Sequence, residues 1–132
     1  MGHEGVKIPG REPVLRVVPM PADMNPNGDI FGGWVMAQAD VAAAIPAMRR
    51  ARGRIATVAV NSFPFQQPIS GGDIVSFCAE IVKVGRTSIT VDVQVFAERN
   101  PSHPVVVKVT EAQFTYVAIN DDGSKREVPA AT

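Results

Sequence analysis

One segment, 34–51, carries the strong helical pattern of the chain, and it restricts the fold more than any other feature. Its apolar residues recur at helical spacing: Val35, Ala39, Ala42, Ile45 and Met48. Alanines at 37, 39, 42, 43, 44 and 47 make this helix unusually slender. A slender helix lets other backbone come close on all sides, as in a helix wrapped by a sheet. Pro46 lies inside the pattern and is expected to bend or shorten the helix.

The other periodic segments have the pattern of β-strands. A short strand is expected over 14–18, and longer strands are expected over 54–65, 74–84, 88–95 and 105–119. The alternation of the last strand shifts near Glu111, which suggests a bulge or a bend. This order predicts an antiparallel sheet folded against one helix. A single helix covers one side of so long a sheet, so a partner subunit should bury the other side or an edge.

Composition favours a single globular domain. With 132 residues, of which 45% are hydrophobic, we expect one domain over 14–128 after a flexible leader over 1–13. The formal net charge of +0 gives no general attraction to nucleic acid or to an anionic membrane. The lone Cys78 lies in an apolar run and fits a reducing compartment. No signal peptide or membrane span is recognisable, so we expect a cytoplasmic protein without membrane insertion.

The stretch 25–40 combines turn residues, a glycine pair and an acid. Gly32 and Gly33 precede the helix, and Asp40 lies on it. Amides at a helix start are unpaired donors that can polarise a carbonyl, and a carboxylate further along can activate water or attack directly. The alternative is purely structural. Asp40 would then be a satisfied buried acid or an interface group, and the glycines would serve an unusual turn.

A set of short motifs runs through residues 14–120. They are Met20-Pro21-Ala22-Asp23, Asn27-Gly28-Asp29-Ile30-Phe31-Gly32-Gly33-Trp34, Gln38-Ala39-Asp40, Thr57-Val58-Ala59-Val60, Phe65-Gln66-Gln67-Pro68-Ile69, Gly72-Asp73-Ile74-Val75 and Val84-Gly85-Arg86-Thr87-Ser88. Together they resemble the YciA-type acyl-CoA thioesterases of the hotdog superfamily. The resemblance implies an α+β hotdog fold, in which a five- to six-stranded antiparallel sheet wraps a long central helix. That fold agrees with the element order above.

The resemblance also implies an activity, the hydrolysis of a fatty acyl-CoA thioester to free fatty acid and coenzyme A. The family's catalytic carboxylate falls on Asp40, and its carbonyl-polarising amides fall on Gly32 and Gly33. Asp29, where the family often has Asp or Asn, is counted with these catalytic residues in a supporting role; the alternative is a plain helix-start or turn residue. In this family the site lies between two subunits, so the resemblance implies a hotdog dimer, or a trimer of such dimers.

Further residues are expected to touch the acyl chain or coenzyme A. Those near the glycine pair and on the following strand are Asn27, Phe31, Trp34, Val60, Asn61 and Phe63. The hairpin of Gly85, Arg86, Thr87 and Ser88 is expected to approach coenzyme A, with Arg86 meeting a phosphate. Two residues depart from the family pattern: Asn61 stands where an acid or polar group is usual, and Gln67 stands where a base is common. They leave the details of the cross-subunit site open.

The placement of histidine bears on the choice between related activities. His3 and His103 both lie far from the glycine pair in sequence. A thiolate leaves readily because a thiol pKa of about 8.5 is far below that of an alcohol, so a thioesterase needs little general acid. A hotdog dehydratase or hydratase pairs a histidine with its acid and is disfavoured. A non-catalytic acyl-CoA-binding sensor is the other alternative. We expect no metal and no cofactor apart from the coenzyme A of the substrate.

Overall fold

The computed structural model describes residues 12–61 and 64–131. In chain order the elements are β1 (Leu15–Val17), a 3₁₀ turn (Pro21–Asp23), α1 (Gly32–Ala51), β2 (Ile55–Asn61), β3 (Ile74–Val84), β4 (Ser88–Arg99) and β5 (Val105–Ala118). The expected order of one strand, one helix and four strands is confirmed. Most of the predicted leader, residues 1–11, lies outside the described part of the chain.

The five strands form one antiparallel sheet in the order β1-β3-β4-β5-β2. The sheet wraps α1, as the helix pattern predicts. On β4, Ile89, Val91, Val93 and Val95 are buried, while the polar residues between them are part-exposed on the other face. β1 and β2 are the edges. Because β1 is three residues long, β2 is the longer edge available for pairing with another chain.

The helix α1 begins at Gly32 rather than at residue 34, and it ends at Ala51 as expected. It continues through Pro46, so of the two expected effects of this proline, a bend or a shorter helix, the shortening is wrong. Fully buried alanines flank the proline in the sequence, including Ala43 and Ala47. Tertiary packing of this kind outweighs the loss of one backbone hydrogen bond. The helix ends where Arg52 takes a left-handed conformation.

Two bulges set which side chains face α1. In β5 the register shifts at Val109, close to the bulge expected near Glu111. In β2, Thr57 pairs with Tyr116 but Ala59 pairs with Thr115, so Val58 is the extra residue. Side chains of a strand alternate between faces, and the extra residue reverses that alternation. As a result Val60, opposite Phe114, shares the helix face with Thr57, whereas Asn61 takes the outer face.

Candidate active site

Asp40 lies in the middle of α1 and is part-buried against β2 and β5. Two hydroxyl groups reach the same carboxylate oxygen. The phenol of Tyr116 lies 2.7 Å from Oδ1 of Asp40, and the hydroxyl of Thr57 donates to Oδ1 at 3.0 Å. Thr57 and Tyr116 are direct cross-strand partners, which is why their hydroxyls converge. Among the described residues no donor reaches Oδ2. We call Asp40, Thr57 and Tyr116 the carboxylate cluster.

Burial is the main reason that the pKa of Tyr116 is raised well above its usual range. The hydrogen bond to Asp40 and the negative charge of that carboxylate raise it further. The phenol therefore keeps its proton throughout the neutral range. It can serve as a hydrogen-bond donor to Asp40 at any pH at which the protein would work.

The carboxylate cluster opens onto a shallow depression beside α1, which we call the α1 groove. Its volume is about 240 Å³. The lining residues are Asp40, Val41, Ala44, Met48, Ile55, Thr57 and Tyr116. Apart from the three members of the carboxylate cluster they are apolar, so the groove places one acid against a surface suited to hydrocarbon.

Gly32 and Gly33 form the first turn of α1. Phe31 precedes them as the N-cap residue and provides no side-chain hydrogen bond to the helix start. In the described part of the chain neither glycine amide has an acceptor, so both remain donors. A Cβ at Gly32 would lie 3.3 Å from the ring of Phe65, whereas a Cβ at Gly33 would meet nothing within 4 Å. Gly32 thus accommodates the neighbouring loop, and Gly33 has free space around it.

The helix-start amides and the carboxylate do not meet within one chain. Asp40 follows Gly32 by eight residues of continuous helix, which corresponds to about 12 Å of axial rise. One thioester carbonyl could not contact both groups at that separation. The structure thus brings Asp40 together with Thr57 and Tyr116, and leaves Gly32 and Gly33 apart from it.

The loop before α1 holds several of the residues proposed from sequence. Asn25 organises it, since its side chain accepts hydrogen bonds from the amides of Asn27 at 2.9 Å and Asp29 at 3.1 Å. Asn27 and Asp29 therefore lie in a tight turn. Phe31 is half exposed beside the helix start, and Trp34 packs against the core. Within the described part of the chain, none of these residues forms a hydrogen bond with the carboxylate cluster.

The two described residues proposed on β2 lie on opposite faces of the sheet. Val60 is exposed on the helix face of the sheet. Asn61 faces the other side, where it lines a polar depression with Asp92 and Glu111. Val60 and Asn61 thus face different ways within one chain, and their expected contact with the acyl chain or coenzyme A stays a prediction. Phe63 lies outside the described residues.

The hairpin of Gly85, Arg86, Thr87 and Ser88 lies at the same end of the sheet as the carboxylate cluster. Ser88 pairs with Val117, one position beyond the pair of Ile89 with Tyr116. The exposed Arg86 guanidinium lies 3.9 Å from the Glu127 carboxylate. At such exposure this ion pair contributes little, so Arg86 can exchange it for another anion.

Sequence reasoning missed Thr57 and Tyr116 as site residues. Thr57 stands in one of the quoted motifs but was given no role. Tyr116 lies on the buried face of β5 with Phe114, and a buried tyrosine hydroxyl requires a partner. That requirement was visible in the alternation of 105–119. The identity of the partner depends on the pairing of Thr57 with Tyr116, which the bulge at Val58 obscures.

Comparisons of sequence and of structure with known proteins identify the same family. A model of the thioesterase superfamily matches residues 27–102. The acyl-CoA thioester hydrolase YciA of Salmonella typhimurium is 46% identical over 92% of this chain and 92% of its own length. A hexameric hotdog fold thioesterase of Campylobacter jejuni superposes with a TM-score of 0.85 at 40% identity, covering 90% of this chain and 91% of that one.

A Staphylococcus aureus acyl-CoA hydrolase has been solved with butyryl coenzyme A. It superposes with a TM-score of 0.80 at 30% identity, covering 89% of this chain and 71% of that one. Its solved variants include one aspartate-to-alanine and one threonine-to-alanine replacement, at positions 17 residues apart, which is the separation of Asp40 and Thr57. The family model and these identities show that the chain belongs to the thioesterase superfamily, among the YciA-type acyl-CoA thioester hydrolases of hotdog fold.

Proposed function

We propose that the protein hydrolyses fatty acyl-CoA thioesters to free fatty acid and coenzyme A, with Asp40 as the catalytic carboxylate. One observation carries this assignment. The Asp40 carboxylate borders the apolar α1 groove with Oδ1 bonded and without a described donor on Oδ2. The relatives named acyl-CoA thioester hydrolases support the same substrate class.

The chemistry can follow two routes from the same geometry. As a general base, Asp40 takes a proton from water, the water oxygen bonds to the thioester carbon, and the C–S bond breaks. As a nucleophile, a carboxylate oxygen bonds to that carbon first, and water then cleaves the resulting anhydride. In both routes the thiolate departs and takes up a proton as coenzyme A. Thr57 and Tyr116 hold the carboxylate while this happens.

Gly32 and Gly33 of a second subunit supply the oxyanion donors in this proposal. Met36 follows Gly32 by four residues and precedes Asp40 by four, and it is exposed. If two α1 helices cross antiparallel at Met36, the Gly32 amide of each chain lies level with Asp40 of the partner subunit. A two-fold axis at this point would therefore close the 12 Å gap, of about two helical turns, that separates the groups in one chain.

The surfaces such a dimer needs are exposed on this chain. β2 is a free edge strand with exposed Val58 and Val60, and it contains no lysine or proline to discourage pairing. The outer face of α1 carries exposed Val41 and Met48. We propose that β2 pairs with β2 of the partner and that α1 packs on α1. Three such dimers would give a hexamer, the assembly of the Campylobacter relative.

The remaining assignments rest on chemistry. Coenzyme A would extend from the carboxylate cluster toward the hairpin 85–88, where Arg86 can meet a phosphate. Asn27, Phe31 and Trp34 would line the approach from the other subunit.

No metal or prosthetic group takes part in the proposed reaction. We place the enzyme in cytoplasmic fatty acid metabolism. Separately, none of the described helices is both long and apolar enough to cross a membrane.

The position of histidine supports hydrolysis rather than dehydration. His103 lies exposed in the turn between β4 and β5, and its amide donates to the Asn100 carbonyl. Within residues 12–61 and 64–131 no histidine approaches Asp40. The described part of the chain thus offers Asp40 no histidine of the kind that a dehydratase pairs with its acid, which favours hydrolysis.

Thiol release from acyl-CoA substrates of graded chain length tests the proposal. We expect the unsubstituted protein to release coenzyme A. Asp40→Asn should lower kcat by about 10²–10⁴-fold, the usual contribution of a positioned base, while acyl-CoA binding persists. Tight binding without thiol release by the unsubstituted protein would identify a sensor instead. Near-normal turnover by Asp40→Asn would remove Asp40 from the mechanism.

A further inference from the structure

Tyr116 makes the shortest contact to the candidate catalytic carboxylate. Its phenol oxygen lies 2.7 Å from Oδ1 of Asp40, compared with 3.0 Å for the hydroxyl of Thr57. A length of about 2.5–2.7 Å is typical of a hydroxyl bonded to an ionised carboxylate, which is roughly twice as strong as a neutral hydrogen bond. Tyr116 is also shielded from water, since it is 1% exposed, whereas Thr57 is exposed. Of the two donors, Tyr116 thus holds the carboxylate more firmly.

The ring of Tyr116 is itself held in place. It stacks on Phe114, with ring centres 6.3 Å apart and planes inclined by 15°. Its strand is paired on both sides, with Thr57 of β2 and Ile89 of β4 opposite Tyr116. A phenol on a buried ring packed in this way presents its oxygen at one position. It can therefore fix the orientation of the group to which it is bonded.

We propose that Tyr116 is a positioning residue for thioester hydrolysis: with Thr57 it fixes Oδ1 of Asp40 and so presents Oδ2 to the attacking water or to the thioester carbon. The inference rests on the proposed function and deepens it, because it assigns different roles to the two carboxylate oxygens. Oδ1 is the anchored oxygen and Oδ2 is the reacting oxygen, whether Asp40 acts as base or as nucleophile.

The same phenol can hold Asp40 before and after proton transfer. Its oxygen also lies 2.8 Å from the main-chain carbonyl oxygen of Asp40. When the carboxylate is ionised, the single phenol proton is donated to Oδ1. After Oδ2 has taken a proton from water, Oδ1 is still an acceptor, so the phenol continues to donate to it. The raised pKa of Tyr116 keeps that phenol proton in place throughout.

The first test compares Tyr116→Phe with a matched control, Thr115→Val. Thr115 is the neighbour of Tyr116 on the outer face of β5, so its replacement also deletes one hydroxyl from the strand. We expect Tyr116→Phe to lower kcat about 10-fold with KM changed less than about twofold, since positioning affects the chemical step and not binding. Thr115→Val should leave both constants within about twofold. A kcat for Tyr116→Phe within twofold of the unsubstituted enzyme would overturn the inference.

The second test does not depend on activity or on how well Tyr116→Phe folds. Tyr116 is the single tyrosine of the chain, so the phenol C–O stretching band in the infrared spectrum at neutral pH reports on it alone. In Asp40→Asn the ionised acceptor of the phenol is lost, so this band should shift relative to the unsubstituted protein. An identical band in the two proteins would contradict the contact. A protein that releases no thiol at all would instead overturn the proposed function, and this inference with it.

Discussion

The two chemically active regions of α1 differ in how far one chain completes them. At Asp40 the polar groups are matched, because Thr57 and Tyr116 both donate to Oδ1. At the helix start, Gly32 and Gly33 have neither a capping side chain nor a described acceptor. The carboxylate cluster is thus assembled by the fold of the monomer. The amide donors at the helix start, in contrast, need an acceptor from another molecule. This difference favours a catalytic site divided between two subunits.

The division has a geometric cause. A continuous helix fixes its groups along one axis, and about two turns separate Gly32 from Asp40. A loop could bend to bring donors and acid together, but a helix of this length cannot. Two antiparallel copies of the helix bring the groups together, because the start of one helix then lies beside the middle of the other. The predictions that follow test the division by disabling one region at a time.

Preventing dimer formation should have the largest effect, because it separates the two regions completely. Val58 is the bulged residue of the edge strand β2 and is 54% exposed. A lysine there should block strand pairing. We expect Val58→Lys to give monomers and to lower kcat/KM by at least about 10³-fold, the upper end for loss of the oxyanion donors alone.

Val82→Lys is the matched control for that change. Val82 is the bulged residue of β3 and is 50% exposed. This variant should keep the assembly and the activity, as measured by light scattering and thiol release. Full activity in a monomeric Val58→Lys enzyme would mean that the site is complete in one chain.

Removing one amide donor should have the next largest effect. Gly33→Pro deletes the N–H group at a helix-start position that tolerates proline. We expect kcat to fall about 10²–10³-fold, the usual loss for one oxyanion donor. Gly33→Ala keeps the amide and adds a methyl group where nothing lies within 4 Å, so it should lose far less. If alanine and proline proved equally harmful, the small size of glycine, and not its amide, would explain why activity requires glycine at this position.

Weakening the carboxylate cluster at its longer contact should have a smaller effect. Thr57 donates to Asp40 at 3.0 Å from an exposed position, where water can replace it. We expect Thr57→Val to lower kcat about threefold, corresponding to less than about 1 kcal/mol. Thr57→Ser retains the hydroxyl and should recover most of that loss. A decrease larger than that of Tyr116→Phe would reverse the ranking of the two donors.

The last expected effect leaves activity at neutral pH unchanged and is a dependence of stability on alkaline pH. The pKa of Tyr116 is raised in the folded state, whereas an unfolded tyrosine ionises near its ordinary pKa of 10.0. Above that pH the unfolded chain binds fewer protons than the folded chain, so the free energy of unfolding falls as pH rises, by at most about 1.4 kcal/mol per pH unit. Below pH 10 the contribution is fully present. Urea unfolding of Tyr116→Phe should lack this slope, and an unchanged slope would assign it to another group.

Much of the fold could be predicted because hydrophobic periodicity is local. The strand over 74–84 agrees with β3, and the shift of alternation near Glu111 marks the bulge at Val109. Pro46 does not shorten the helix, because packing of buried alanines maintains it through the proline. Propensity alone could not reveal this, since the stabilising contacts come from the sheet.

The candidate site was predictable only in part. Asp40 and the glycine pair stand out because charge and conformational freedom are unusual in an apolar helix. The roles of Thr57 and Tyr116 depend on a cross-strand register, and the outward direction of Asn61 depends on the bulge at Val58. Such nonlocal geometry is invisible until the strands are paired. The way in which a second chain packs on this one depends on the folded surface, so it is harder still to predict from the sequence.

Subunit complementation tests the central claim most directly. Asp40→Asn and Gly33→Pro chains, each nearly inactive alone, would be co-expressed in equal amounts and purified together without selection for mixed dimers. In a mixed dimer with divided sites, one site combines an intact Gly33 with an intact Asp40 from the two chains. Random pairing makes half of the dimers mixed, each with one working site of two, so we predict about a quarter of normal thiol release. Mixed assemblies no more active than the separate variants would show that both groups must come from the same chain.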